Sequence, residues 1–170
     1  MADSMDHFFA RWRAQGVPGI EIREDVHYLY RIVRICKILG QRVEATCTRH
    51  GLTRSQYEAL SALLRHSPTP LSAQDLMEAS MLTSGSVTAM INHLVASGLV
   101  ERHQNPQDRR RIEVRITPAG TRVVKAAIYD RLADNETLAQ LLQGDDQKQA
   151  DRLMRKLLAS LEGLGQALAA

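Results

Sequence analysis

Three features of the sequence predict a mainly α-helical fold with one small β-hairpin. Apolar residues recur at helical spacing through most of the chain, with cap and stop residues at the segment ends. Two short alternating runs, LVERHQ and RIEVRIT, flank Asn105–Pro106–Gln107–Asp108, the signature of a hairpin. The order is helix, helix, helix, hairpin, enclosed by long helices on both sides.

Each element has its own local reason. Asp3 to Gln15 reads as a short helix carrying Phe8, Phe9 and Trp12, broken by Gly16, Pro18 and Gly19. A long helix follows from Glu24 to His50, with a broad apolar face of Val26, Leu29, Tyr30, Val33, Ile35, Cys36, Leu39, Val43 and Cys47. Gly51 stops it. Thr53 is placed to cap RSQYEALSALLRHS, which ends before Pro68 and Pro70. Ser72 caps a short helix, AQDLMEAS. Ser84 to Ser97 forms the next helix, closed by Gly98. Its apolar side holds Val87, Met90, Ile91, Leu94 and Val95; the other side holds Gly85, Ser86, Ala89, Asn92, His93 and Ala96.

In the hairpin, Ile112, Val114 and Ile116 are expected to face inward, and Glu113 and Arg115 to face water. Pro118 opens a further helix at its first turn, carrying Val123, Val124, Ala127, Ile128 and Leu132. A final helix from Asp146 to Leu168 bears a stripe of Leu153, Leu157, Leu161, Leu164 and Leu168, suited to packing against another helix, one from a second copy included. The whole is a winged helix-turn-helix flanked by N- and C-terminal helices. The expected division is residues 1–50, an arm and long dimerisation helix; 51–117, the winged domain; and 118–170, C-terminal dimerisation helices.

Composition agrees. The 170 residues are 44% hydrophobic and 24% charged, the balance of a soluble chain with a real core, and only 4% aromatic, so aliphatic side chains must fill that core. With no signal-peptide pattern and no apolar run long enough to span a bilayer, a cytoplasmic protein is expected. Cys36 and Cys47 share a face of the long helix about 16 Å apart, too far for a disulfide within one chain; both read first as small buried hydrophobes, with a redox sensor or an intersubunit bridge as the alternatives.

Net charge is only +3, but its distribution is uneven. Between Leu99 and Thr117 lie Arg102, Arg109, Arg110, Arg111 and Arg115 against Glu101, Asp108 and Glu113. From Pro118 onward seven basic residues balance seven acidic ones. A concentrated basic hairpin beside a small-residue helix is the footprint of a polyanion-binding surface. In a helix-turn-helix the second helix enters the major groove of DNA. Ser84 and Ser86, at the helix start, suit phosphate oxygens, and Thr88, Asn92 and His93 suit base edges. Residues 81–100 contain no Lys or Arg. The wing compensates: Arg109, Arg110 and Arg111 can reach the adjacent minor groove, and Asp108 braces one of them by a charge-assisted pair.

No catalytic or zinc-binding spacing is present, so neither an enzyme nor a cofactor is expected. The rival reading is a winged helix that binds protein and not DNA. Salt dependence discriminates, because phosphate contacts weaken steeply as salt rises.

The run LTSGSVTAMINHLVASGLVERHQNPQDRRRIEVRITPAG strongly resembles the recognition helix and wing of the MarR family of bacterial transcription regulators. The family's Asp-x-Arg wing pattern falls on Asp108 and Arg110. Its Leu-Val-x-Arg strand falls on Leu99, Val100 and Arg102, which adds Arg102 to the DNA-contact candidates. Its Thr-x-x-Gly helix start falls on Thr117 and Gly120. The resemblance implies a homodimeric repressor on a pseudo-palindromic operator, relieved by a small aromatic or phenolic acid.

Trp12 with the Pro/Gly break after it also resembles the urate-responsive branch. Trp12 and Arg102 match that branch and Glu58 replaces its usual Asp, but the branch's recognition-helix arginine is missing at Ala89 and Met90. A carboxylate effector needs a cation and aromatic walls, for which Trp12, His27, Tyr28, Arg34 and Tyr57 are the candidates, with Glu58 beside them.

Overall fold

The computed structural model describes residues 2–16, 21–80, 87–105 and 112–169, with 165–169 as backbone only. Helix α1 (Ser4–Gln15) starts at a capping box in which Asp3 and Asp6 each accept from the other's backbone N–H. A single 3-10 turn, Glu24–Val26, leads into α2 (His27–Arg49), so the predicted long helix begins one tight turn later than its periodicity suggests. Gly51, at φ 68°, takes the left-handed conformation that ends α2.

Thr53 and Gln56 form the capping box of α3 (Arg54–His66), and Ser72 with Asp75 that of α4 (Ala73–Ala79). Helix α5 spans Val87–Ala96; the earlier part of the predicted helix, from Ser84, lies outside the described residues. Gly98, at φ 69°, reverses the chain into β2 (Val100–Gln104), which pairs antiparallel with β3 (Ile112–Ile116) in the register Val100 to Ile116 and Arg102 to Val114. Thr117 caps α6 (Pro118–Ala139) with Pro118 at its first position, and α7 (Asp145–Ala169) follows.

Sequence periodicity did not foresee the third strand. Leu71–Ser72 forms β1, which pairs antiparallel with the far edge of β3 and completes a sheet ordered β1-β3-β2. Two residues are too few to show alternation, and the strand exists because β3 has an edge to offer it.

One core unites the winged domain with the ends of its neighbours. Leu60, Leu63, Leu76, Leu94, Val100, Val114 and Val124 are buried together with Cys47. Two inward-facing assignments need correction. Ile112 is 56% exposed, because β3 runs beyond the core before its alternation ends. Cys36 is exposed, whereas Cys47 is fully buried and burial pushes its thiol pKa up. Glu113, expected in water, is half-buried and accepts from Asn105 Nδ2 at 2.5 Å.

Helices α2 and α7 leave much apolar surface uncovered within the protomer, with Val33 at 69% exposure. Among the described residues no helix is long and apolar enough to cross a membrane.

Candidate nucleic-acid interface

Helix α5 divides cleanly. Val87, Met90, Ile91 and Leu94, at i, i+3, i+4 and i+7, are buried in the core. Thr88, Ala89, Asn92, His93 and Ala96 are exposed on the other side. Helices α3 and α4 pack behind it, so the exposed face is the outermost layer of the domain.

Strand β2 leaves α5 through Gly98, and its alternation decides what meets the helix. Val100 is buried and Arg102 lies on the same side two residues on, opposite buried Val114. Arg102 therefore leaves the strand on the core side, one step beyond the core's edge, and its Nη2 donates to Asn92 Oδ1 on α5. On the opposite side of β2, His103 Nε2 and Glu101 Oε1 are 2.9 Å apart, and exposed Arg115 faces Glu101 across the ladder. Glu101 is thus occupied away from the helix, and Arg102 is left to α5.

Of the predicted DNA contacts, Thr88, Asn92, His93 and Arg102 come together on one exposed surface. Ser84, Ser86, Asp108, Arg109, Arg110 and Arg111 lie outside the described residues.

The predicted effector residues do not converge within the protomer. Trp12 stands beside Phe8 with ring centroids 6.2 Å apart, and its Nε1 is buried without a hydrogen-bond partner among the described residues. His27 stacks on buried Phe9, centroids 3.6 Å apart and planes 4° from parallel. Tyr28 lines a groove of about 550 Å³ between α2 and α7, together with Ile32, Leu153, Met154, Lys156 and Leu157. Arg34 is exposed. Tyr57 packs against the winged-domain core, and Glu58 accepts from Arg54 Nε at 2.9 Å. The urate-type set of Trp12, Glu58 and Arg102 is thereby spread over three separate neighbourhoods.

Sequence reasoning missed Arg31. It holds the N-terminal arm to α2, donating from Nε to Asp3 Oδ2 at 2.8 Å and from Nη2 to Asp6, with its guanidinium 5.7 Å from the Phe9 ring. The Arg31 contact holds the Asp3 carboxyl below its usual range. The available signal was the acidic pair at the start of α1, which its capping box explained equally well.

Known proteins bear on this surface. The sequence profile of the MarR family matches residues 50–111, from the turn after α2 to the residue before β3. The chain is 29% identical over 107 residues to the transcriptional regulator HosA of Escherichia coli O111:H-, covering 63% of this chain and 78% of that one. It is 28% identical over 114 residues to the transcriptional repressor NicR of Pseudomonas putida, covering 67% and 71%. The fold matches that of Staphylococcus aureus MepR in its complex with DNA at a TM-score of 0.67 and 25% identity, over 79% of this chain and 97% of that one. The order of elements and the exposed helix beside its hairpin agree with these likenesses: over residues 50–111 the chain is similar to the MarR family of transcription regulators, and its fold is that of a winged-helix regulator solved in complex with DNA.

Proposed function

We propose that the protein is a homodimeric, effector-responsive repressor that binds a pseudo-palindromic operator, with the helix predicted at 84–97 in the major groove and the wing at 105–111 at the minor groove. The observation that carries this reading is the exposed face of α5, where Thr88, Asn92 and His93 stand clear of the core with Arg102 alongside. Thr88, Asn92 and His93 would meet base edges. Ser84, Ser86 and Arg109 to Arg111 would meet phosphate and the minor groove, with Asp108 bracing the wing. Repression is supported by the likeness to NicR, a repressor by name. Binding to DNA would place the protein in the cytoplasm.

Dimerisation is supported by the uncovered apolar side chains of α2 and α7, since contiguous exposed apolar surface marks an interaction site. A second copy would cover them and bring two recognition helices to successive turns of the duplex. In this reading residues 1–50 and 118–170 join the protomers and 51–117 read DNA.

The groove between α2 and α7 supports an aromatic acid as the effector. Tyr28, Ile32, Leu153, Met154 and Leu157 give it an apolar body, and Lys156 sets a cation at its rim. Since Trp12, Glu58 and Arg102 have different neighbours, the groove is a better basis for an effector than the urate-responsive pattern.

Fluorescence anisotropy on the DNA beside the protein's own gene, across a salt series, tests the reading. Binding tighter than to scrambled DNA, with a steep salt slope and release by an aromatic carboxylate, is the expected result. Equal, weak and salt-insensitive binding to both DNAs would remove the operator reading.

A further inference from the structure

Residues 81–100 carry no Lys or Arg, so recognition helix α5 by itself has no strong donor for guanine. Strand β2 supplies one. Arg102 reaches across to α5 and donates from Nη2 to Asn92 Oδ1. The contact also fixes the asparagine. A guanidinium has donors only, so the amide atom facing it must be the oxygen. The amide nitrogen then turns away, and it has no other partner among the described residues. Both side chains are exposed on the face that the winged fold presents to DNA.

We infer that Arg102 and Asn92 act together as a donor-rich pair that selects guanine over adenine at one base pair of each half-site. An unrestrained asparagine reads adenine by accepting from N6 and donating to N7. Asn92 is held out of that geometry, because Arg102 engages one of the two lone pairs of its oxygen and turns that oxygen toward β2. With the oxygen turned toward Arg102, what the pair mainly offers the groove is the amide N–H groups and the remaining guanidinium N–H groups. The major-groove edge with two acceptors side by side, N7 and O6, is that of guanine. The inference rests on the reading of α5 as the helix that enters the major groove. It adds that the base preference is set by a residue from the wing strand acting on one from the helix.

The test is selection of binding sites from a random duplex pool by the full-length protein, then anisotropy on the selected site and its single-base variants. The expected result is a guanine in each half-site whose replacement by adenine weakens binding on the order of tenfold. In Arg102→Met the Asn92 amide is free to turn, so the preference at that base pair relaxes or passes to adenine while the other positions keep theirs. Asn92→Ala flattens the same position. Unchanged melting temperatures would show that both variants fold. If both variants weaken every sequence equally and leave the base preferences as they were, the pair touches only phosphate and the inference is overturned. If the parent protein enriches no sequence at all, the operator reading fails and takes this inference with it. Enrichment by the parent protein therefore tells the two failures apart.

Discussion

Gly120 passes so close to Leu99 that a β-carbon at position 120 would lie 2.1 Å from the Leu99 carbonyl oxygen. The same carbonyl accepts from the Thr117 backbone N–H at 3.1 Å. The Thr117 hydroxyl lies 2.8 Å from Gly98 O and 3.1 Å from Leu99 O, and it accepts from Gly120 N–H at 3.0 Å. The turn after α5, the end of β3 and the start of α6 thus meet at one knot of backbone. The Thr-x-x-Gly spacing serves that knot.

Gly120→Ala should therefore destabilise the protein, although alanine is the better helix former. The gain in propensity is about 1 kcal/mol, whereas forcing a side chain into a filled site costs roughly 1–3 kcal/mol. The clash here is with backbone, which cannot rotate away. Urea unfolding would show a lower midpoint with an unchanged slope; an unchanged or higher midpoint would mean that α6 shifts at no cost.

What the sequence made legible was chemistry settled within a few residues. Thr53, Ser72 and Thr117 are N-caps, Pro118 opens α6, and Gly51 and Gly98 are left-handed stops, each dictated by its neighbours in the chain. Contacts between distant elements were not legible. Strand β1 is two residues whose pairing depends on where β3 ends up. Alternation correctly put Val114 and Ile116 inside but could not say that the core stops before Ile112. The Arg102 to Asn92 contact needs the register that lays β2 against α5, and Arg31 meets an aspartate 28 positions away. Four of the nine predicted DNA contacts, Thr88, Asn92, His93 and Arg102, could be placed because the fold of α5 and β2 follows from their own patterning.

The end of α2 is clasped to α6 by ion pairs whose strength depends on pH. Arg42 donates from Nε to Asp134 Oδ2 at 3.1 Å and from Nη2 to Asp134 Oδ1, while His50 Nε2 lies 2.9 Å from Asp130 Oδ2. The hydrogen bond from Arg42 holds the Asp134 carboxyl below its usual pKa, and that from His50 does the same for Asp130. A carboxylate with a lowered folded pKa stabilises the fold above its unfolded pKa and loses that effect as pH falls through the folded value. Asp134→Asn should thus lower the melting temperature at pH 7 and pH 5 alike. The difference from the parent should shrink as pH drops below about 4, the ordinary carboxylate range. A difference that persists undiminished at pH 3 would assign the effect to packing.

Leu161 is 54% exposed in the protomer, and Leu153, Leu158 and Leu164 along α7 are exposed as well. Leu161→Glu, alone or with Leu157→Glu, should give monomers by sedimentation equilibrium. Placing a charge in an apolar interface leaves it unpaired when buried. A far-ultraviolet spectrum matching the parent would show that the monomer is folded. A mass that still equals two chains would move the interface elsewhere.

Arg110 and Arg102 should fail in different ways when removed, and the contrast tests how labour is divided between the wing tip and the wing strand. Arg110 belongs to the Asp-x-Arg pattern that the sequence places at the hairpin tip, and it lies outside the described residues. It is expected at the phosphates and minor groove, where contacts position the protein without reading major-groove edges. Arg110→Ala should cost about 1–3 kcal/mol of operator affinity. It should weaken related sequences equally and lower the slope of affinity against salt by about one phosphate contact. Arg102→Met should instead change the preference at one base pair. If Arg110→Ala leaves both affinity and salt slope untouched, the wing tip has no part in binding, and recognition rests on α5 and β2 alone.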